Sequence, residues 1–153
     1  MSIFVATGTT GFDDLVEEMD QLSMSLAEPV TIQVGAGDYL PKRTRHFRFD
    51  ASLEPYLRDA DLVVAHGGLA TCMEALALGK PLVAVANPDR YDDHQQDILT
   101  TLEAEGFLLY CRSLDGLGDA IRRARQVRFR PYTRPETSIH LRIGEYLSAL
   151  GGK

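Results

Sequence analysis

Tryptophan is absent from this chain, and cysteine occurs only twice, at Cys72 and Cys111. Both cysteines sit in apolar, periodic segments, with no CxxC or His/Cys spacing around them. That excludes a disulfide scaffold and a zinc site, and leaves two reduced, buried thiols. No apolar run approaches the roughly 20 residues needed to span a bilayer. The opening MSIFVATGTTG lacks the basic region and long apolar stretch of a secretory signal. Positive charge is also in deficit: 16 Lys and Arg stand against 22 Asp and Glu, for a net charge of −6. The molecule as a whole therefore has no electrostatic case for binding nucleic acid. Internal repeats, low-complexity tracts and linkers are missing too. These absences predict a cytoplasmic protein without a membrane span of its own. If it works at a membrane, something else brings it there.

What is present is an ordinary globular composition, 44% hydrophobic and 25% charged, in 153 residues. That length suffices for one compact domain with its own core. Strand and helix signals alternate. Ser2–Thr7 reads as a strand, followed by an amphipathic helix from Phe12 to about Leu26, with Leu15, Met19, Leu22 and Leu26 on one face. Val30–Gly35 reads as a second strand, His46–Phe49 as a short third, and Leu53–Arg58 as a short helix capped by Ser52. Asp61–Ala65 and Leu82–Ala86 are continuously apolar, the kind of strand that a parallel sheet buries on both faces. Between them, Thr71–Leu78 reads as a helix stopped by Gly79 and Pro81. His94–Glu105 is helical, Phe107–Cys111 is the last strand, and Ser113 caps a helix through about Gln126. Residues 128–135 read as irregular and Glu136–Leu150 as a terminal helix. The alternation predicts α/β architecture: a single Rossmann-like domain, residues 1–153, with a parallel sheet.

In such a sheet, ligands bind beyond the carboxyl ends of the strands, and three of those ends carry unusual residues. Thr7-Gly8-Thr9-Thr10-Gly11 offers backbone N–H groups, hydroxyls and a helix N-terminus, which together suit a phosphate. It is neither GxGxxG nor a Walker loop, and taken alone it is adequately explained as a tight βα turn with threonine caps. Ala65-His66-Gly67-Gly68 ends a buried strand. Its glycines admit a close backbone approach, and His66 can donate to a phosphate oxygen or serve as a structural group. Thr71 and Glu74 form a T-x-x-E pattern. Glu74 either completes a capping box or faces the cleft to accept hydrogen bonds from a vicinal diol such as that of a ribose. Asn87-Pro88-Asp89-Arg90-Tyr91-Asp92-Asp93-His94-Gln95-Gln96 crowds acids, a histidine and two amides into a loop and first helical turn. Amides suit sugar hydroxyls, while Asp92 or Asp93 serves equally as a plain N-cap. No pair of metal-ligand histidines at helical spacing is present, so the sequence calls for no metal and no cofactor.

Taken together, His66-Gly67-Gly68, Thr71, Glu74, Gly79-Lys80-Pro81 and His94-Gln95 resemble the donor-sugar signature of GT-B glycosyltransferases, family 28 above all. Thr7-Gly8-Thr9-Thr10 with Phe12-Asp13-Asp14-Leu15, and Asn87-Pro88 running on to Asp93-His94-Gln95, resemble the small catalytic subunits of split transferases. Subunits of that kind act in dolichol-linked oligosaccharide or bacterial exopolysaccharide synthesis. The resemblance implies half of a GT-B fold that binds a UDP-sugar donor. Gly8, Thr9, Thr10, His66, Gly67 and Gly68 would hold the diphosphate, Glu74 the ribose, and His94, Gln95 and Gln96 the donor sugar. It further implies an inverting transfer to a lipid-linked sugar acceptor, with a second, membrane-associated subunit holding that acceptor and anchoring this chain peripherally. The catalytic base is left unassigned, Asp13 and Asp14 being weak candidates. Leu69-Ala70 departs from the family pattern, so that Leu69 either points into the core or narrows the phosphate loop. Two other classes remain open: a nucleotide-sugar sensor without catalysis, and a domain like that of UDP-sugar epimerases. Arg122, Arg123, Arg125, Arg128, Arg130 and Arg134 form a basic tract. It reads as a solvated face or as a contact for an acidic partner or anionic lipid.

Overall fold

Three four- or five-residue runs, apolar except for His66, form the centre of the sheet: β1 (Ile3–Ala6), β4 (Leu62–His66) and β5 (Leu82–Val85), every residue of which is buried. The computed structural model describes residues 1–87 and 93–133. With β2 (Val30–Gln33), β3 (Arg45–Phe47) and β6 (Leu109–Cys111), these strands make one six-stranded sheet in the order β3-β2-β1-β4-β5-β6. All five neighbouring pairs are parallel. Alternate side chains along each strand feed two separate apolar layers, because successive side chains point to opposite faces. On one face Ile3, Val5, Ile32, Val64 and Val83 pack with α1 (Asp13–Leu22) and α5 (Leu117–Ala124). On the other, Phe4, Val63, Ala65 and Ala84 pack with α2 (Glu54–Asp59), α3 (Leu69–Ala77) and α4 (Asp93–Ala104). The predicted α/β domain with a parallel sheet is what the chain forms.

Several boundaries differ from the sequence reading, each for a local reason. The first helix ends at Leu22 rather than near Leu26. The hydroxyls of Ser23 and Ser25 donate back to the carbonyls of Asp20 and Leu22, which competes with helix continuation. The third strand covers 45–47 and not 46–49, leaving Phe49 exposed on the loop beyond it. Ser113 precedes a single 3-10 turn, Leu114–Gly116, before α5 begins at Leu117. The helix expected over Glu136–Leu150 lies outside the described residues.

The most consequential difference is at α3. It starts at Leu69, with Gly68 in the N-cap position and no side-chain cap. Thr71 therefore lies inside the first turn and cannot be the capping residue, which rules out a Thr71–Glu74 capping box. The Gly79-Lys80-Pro81 turn also acquires a structural role. Gly79 takes a φ of +66°, and Lys80 Nζ donates to the carbonyls of Arg58 and Ala60 at 2.5 and 2.8 Å. The lysine thus satisfies the carboxyl end of α2, where a positive charge is favoured.

A buried carboxylate fixes the β2–β3 connection. Asp20, fully buried near the end of α1, accepts hydrogen bonds from the backbone N–H groups of Lys42, Arg43 and Thr44 and from the hydroxyls of Tyr39 and Thr44. Burial pushes its pKa up, but the backbone donors and hydroxyls together outweigh burial and hold it below 3.8. One ionised side chain thereby supplies the acceptors that a loop of exposed backbone needs.

Candidate functional site

The strand order reverses between β1 and β4, which run side by side with Ala6 opposite Ala65. Their outgoing connections must diverge to opposite faces there, opening a crevice at their carboxyl ends. A cleft of about 760 Å³ occupies this place. Its floor is Gly8, Thr9 and Thr10 from the end of β1 with His66 and Gly68 from the end of β4. Glu74 and Thr71 of α3 line one side, and residues 49–54 line the other.

The floor is held by groups that the sequence alone did not single out. Gln33, the last residue of β2 and buried, clamps the peptide at Gly8. Its Oε1 accepts from Gly8 N, and its Nε2 donates to Gly8 O, both at 3.3 Å. Thr7 Oγ1 donates to Gln33 O at 2.9 Å. Gly8 needs its φ of +76° to turn the chain here, a conformation that costs a residue with a Cβ. The only sequence signal for Gln33 is an amide at the end of an otherwise apolar strand. The His66 ring packs between the two loops. A Cβ on Gly8 would stand 3.5 Å from His66 Nδ1, and one on Gly68 would stand 2.9 Å from Cε1. Gly68 is therefore a close-approach glycine that lets the imidazole lie against the start of α3.

Glu74 is exposed and lines the cleft, and its carboxylate has no hydrogen-bond or ion-pair partner among the described residues. Leu69 points into the cleft, half exposed, and not into the core. On the opposite wall Asp50 is pinned, its Oδ2 accepting from Tyr56 OH at 2.7 Å and its Oδ1 from Ala51 N. That tyrosine hydrogen bond lowers its pKa. Phe49, exposed, stands beside it.

Other predicted residues lie elsewhere. Gln95 packs on Gly67, where a Cβ would stand 3.1 Å from its Cγ, and its Oε1 accepts from Asn87 N at 3.3 Å. Gln96 faces a separate cavity of about 480 Å³ with Thr100, Tyr110 and Arg112. His94 is the second residue of α4, but its side chain is outside the described residues, as are residues 88–92. Asp13 Oδ2 accepts from Asp38 N at 3.0 Å, so Asp13 braces the loop after β2. Burial raises the Cys72 thiol to about 12, which removes it as a nucleophile. In the basic tract, Arg122 pairs with Asp119, Arg125 with Glu28 at 2.8 Å and Arg130 with Glu105 at 2.9 Å. Arg134 is outside the described residues.

A parallel sheet of this order, with its cleft at the reversal, is the doubly wound, Rossmann-like arrangement that binds nucleotides in many protein classes, and GT-B glycosyltransferases are built from two such half-domains. Solved structures show the same fold. The match to MurG of Acinetobacter baumannii has a TM-score of 0.65 at 21% identity, over 81% of this chain and 41% of that one. A solution structure of ALG13 matches with a TM-score of 0.59 at 18% identity, over 93% of both chains. The chain belongs to the glycosyltransferase family 28 C-terminal domain family, which it matches over residues 2–145. Curated relatives include the UDP-N-acetylglucosamine transferase subunit ALG13 of Mus musculus, 40% identical over 71% of this chain. The ALG13 subunits of Homo sapiens and Saccharomyces cerevisiae are 34% and 28% identical, over 71% and 79% of this chain. The chain spans 10% of the length of the mouse relative, 11% of the human one and 64% of the yeast one. The family and fold expected from the His66-to-Gln95 signature are thus borne out.

Proposed function

We propose that this chain is the donor-binding subunit of an inverting glycosyltransferase, taking UDP-N-acetylglucosamine as donor and a lipid-linked sugar as acceptor. The acceptor is held by a second, membrane-associated subunit. One observation carries the reading: the Gly8–Thr10 turn, His66, Gly68 and Glu74 line a single cleft at the strand-order reversal. The choice of donor follows the names of the ALG13 relatives.

The chemistry follows from charge. As the glycosidic bond breaks, negative charge grows on the departing diphosphate. Backbone N–H groups at the start of α3, with the aligned peptide dipoles behind them, are preorganised to stabilise it. His66 adds a donor from the side. Glu74 lies five residues beyond Leu69, about 7.5 Å along the helix axis, a span comparable to that from a phosphate to the hydroxyls of its own ribose. The opposite wall then faces the base with Phe49. Gln95, Gln96 and His94, at the start of α4, are assigned to the donor sugar. Deprotonating the acceptor hydroxyl needs a base, which this reading assigns to the partner subunit.

Calorimetric titration with UDP and UDP-N-acetylglucosamine, beside ATP and NAD, tests the reading. Binding confined to the uridine ligands is expected. Equal or tighter binding of ATP or NAD would defeat it. Uridine binding without any transfer in the presence of the partner would leave a sensor.

A further inference from the structure

The arginine tract that begins in α5 is the basic feature that the sequence makes conspicuous, yet Arg122, Arg125 and Arg130 are matched by carboxylates of this same chain. Arg123 and Arg128 of that tract have no carboxylate partner among the described residues, but a denser run of bases lies at the other end of the sheet order. Residues 42–48 read Lys-Arg-Thr-Arg-His-Phe-Arg. This stretch carries four of the chain's sixteen Lys and Arg and none of its acids, which leaves twelve bases against twenty-two acids elsewhere. It enters and forms β3, an edge strand that pairs with β2 alone.

Lys42, Arg43, Arg45, His46 and Arg48 are all exposed. Lys42 and Arg45 have no carboxylate partner among the described residues. Arg48 Nη1 donates to the carbonyls of Gly35 and Gly37 at 3.2 and 2.8 Å, so its charge is held in place and not neutralised. Only Arg43 approaches an acid, Asp20, at 3.6 Å, and that carboxylate is already occupied by five donors from the loop. Of the other nearby acids, Asp50 is tied up by Tyr56 and Ala51, and Asp13 by Asp38 N. Asp38 itself is exposed. A large apolar side chain accompanies the cations: Leu40, 47% exposed, two residues before Lys42. The bases are thus gathered along one edge of an otherwise acidic molecule.

We propose that this edge docks the domain directly onto an anionic lipid surface. Clustered Lys and Arg beside exposed apolar side chains are attracted by negatively charged headgroups and insert shallowly among them. The surplus of acids elsewhere repels the same surface, so the domain lands in one orientation. Since β3 leads directly to Phe49 on the rim of the cleft, docking brings that rim to the headgroup level. The inference rests on the proposed lipid-linked acceptor, because that acceptor places the reaction at a bilayer.

The test is co-sedimentation of the chain with vesicles of phosphatidylcholine alone or mixed with phosphatidylserine, at low and raised salt. Binding is expected only with phosphatidylserine and is weakened by salt. Lys42→Gln with Arg45→Gln should lower partitioning about tenfold or more, whereas Arg123→Gln with Arg128→Gln should lower it less. UDP titration and thermal unfolding of the same variants, both expected unchanged, report on the cleft and the fold separately. Binding to both vesicle types alike, or to neither, overturns the proposal, as does an equal loss in the Arg123/Arg128 variant. If the β3 variant keeps vesicle binding but loses affinity for the acceptor-binding subunit, the edge is a protein contact and the proposal also falls. Phosphatidylserine-dependent binding by a chain that fails to bind UDP would support the edge and count against the donor reading alone.

Discussion

At the scale of single residues, Glu74 is where sequence and structure complement each other. Its spacing from Thr71 fits a capping box and a cleft ligand equally well, and no local pattern separates the two. The start of α3 at Leu69 does, because it leaves Thr71 in the wrong position to cap. Glu74→Gln should therefore weaken UDP binding by roughly 1.5–3 kcal/mol, the loss of charged hydrogen bonds, while leaving thermal stability nearly unchanged. Unaltered UDP affinity in calorimetry would remove Glu74 from the site. Gly68→Ala offers a sharper probe of His66. The backbone there, φ −63°, accepts alanine without strain, but the new Cβ would sit 2.9 Å from His66 Cε1. The ring must move, and UDP affinity should fall by roughly 1 kcal/mol or more. A variant that binds UDP as the parent does would show that the position of His66 is immaterial. Gln33 escaped the sequence reading because its role depends on β2 lying beside β1, a pairing that no local window contains.

At the scale of elements, the buried runs at β1, β4 and β5 were legible because a strand covered on both faces has little choice but to be apolar throughout. Ends were less legible, since they are decided by competition. Two serines cut α1 short through side-chain bonds to its own carbonyls. The stability of the β2–β3 connection was not legible at all, because Asp20 and its backbone donors are more than twenty residues apart in sequence. Asp20→Ala should cost about 3 kcal/mol or more, since several partly buried backbone donors lose one ionised acceptor together. The pH dependence has a definite sign. A carboxylate whose folded-state pKa lies below its unfolded value of 3.8 stabilises the fold above that value, and the contribution disappears as pH falls through the folded pKa. Thermal unfolding should show the gap between parent and variant at neutral pH narrowing below pH 3.8. A gap that stays constant on acidification would mean that the charge of Asp20 is irrelevant and only its shape matters.

At the scale of the molecule, the proposed function puts the donor groups on this chain and the acceptor site on a second subunit. The isolated chain should therefore bind UDP-N-acetylglucosamine yet transfer sugar poorly. Adding the acceptor-binding subunit should raise the rate by positioning the acceptor and removing its proton. A radiolabelled donor and a polyprenyl-diphosphate-sugar acceptor, with and without that subunit, make the comparison. Full turnover by this chain alone would mean that it contains its own base and acceptor site.

The cleft floor hangs from β1 and β4, the two strands deepest in the sheet order, with neighbours on both sides. Amides there can exchange with solvent only when the sheet comes apart, whereas those of β3 and β6 at the margins can open locally. A nucleotide seated on that floor, as proposed, would be coupled to global unfolding. At saturating ligand its binding energy should appear as slowed deuterium uptake in the innermost strands and not as the quieting of a surface loop.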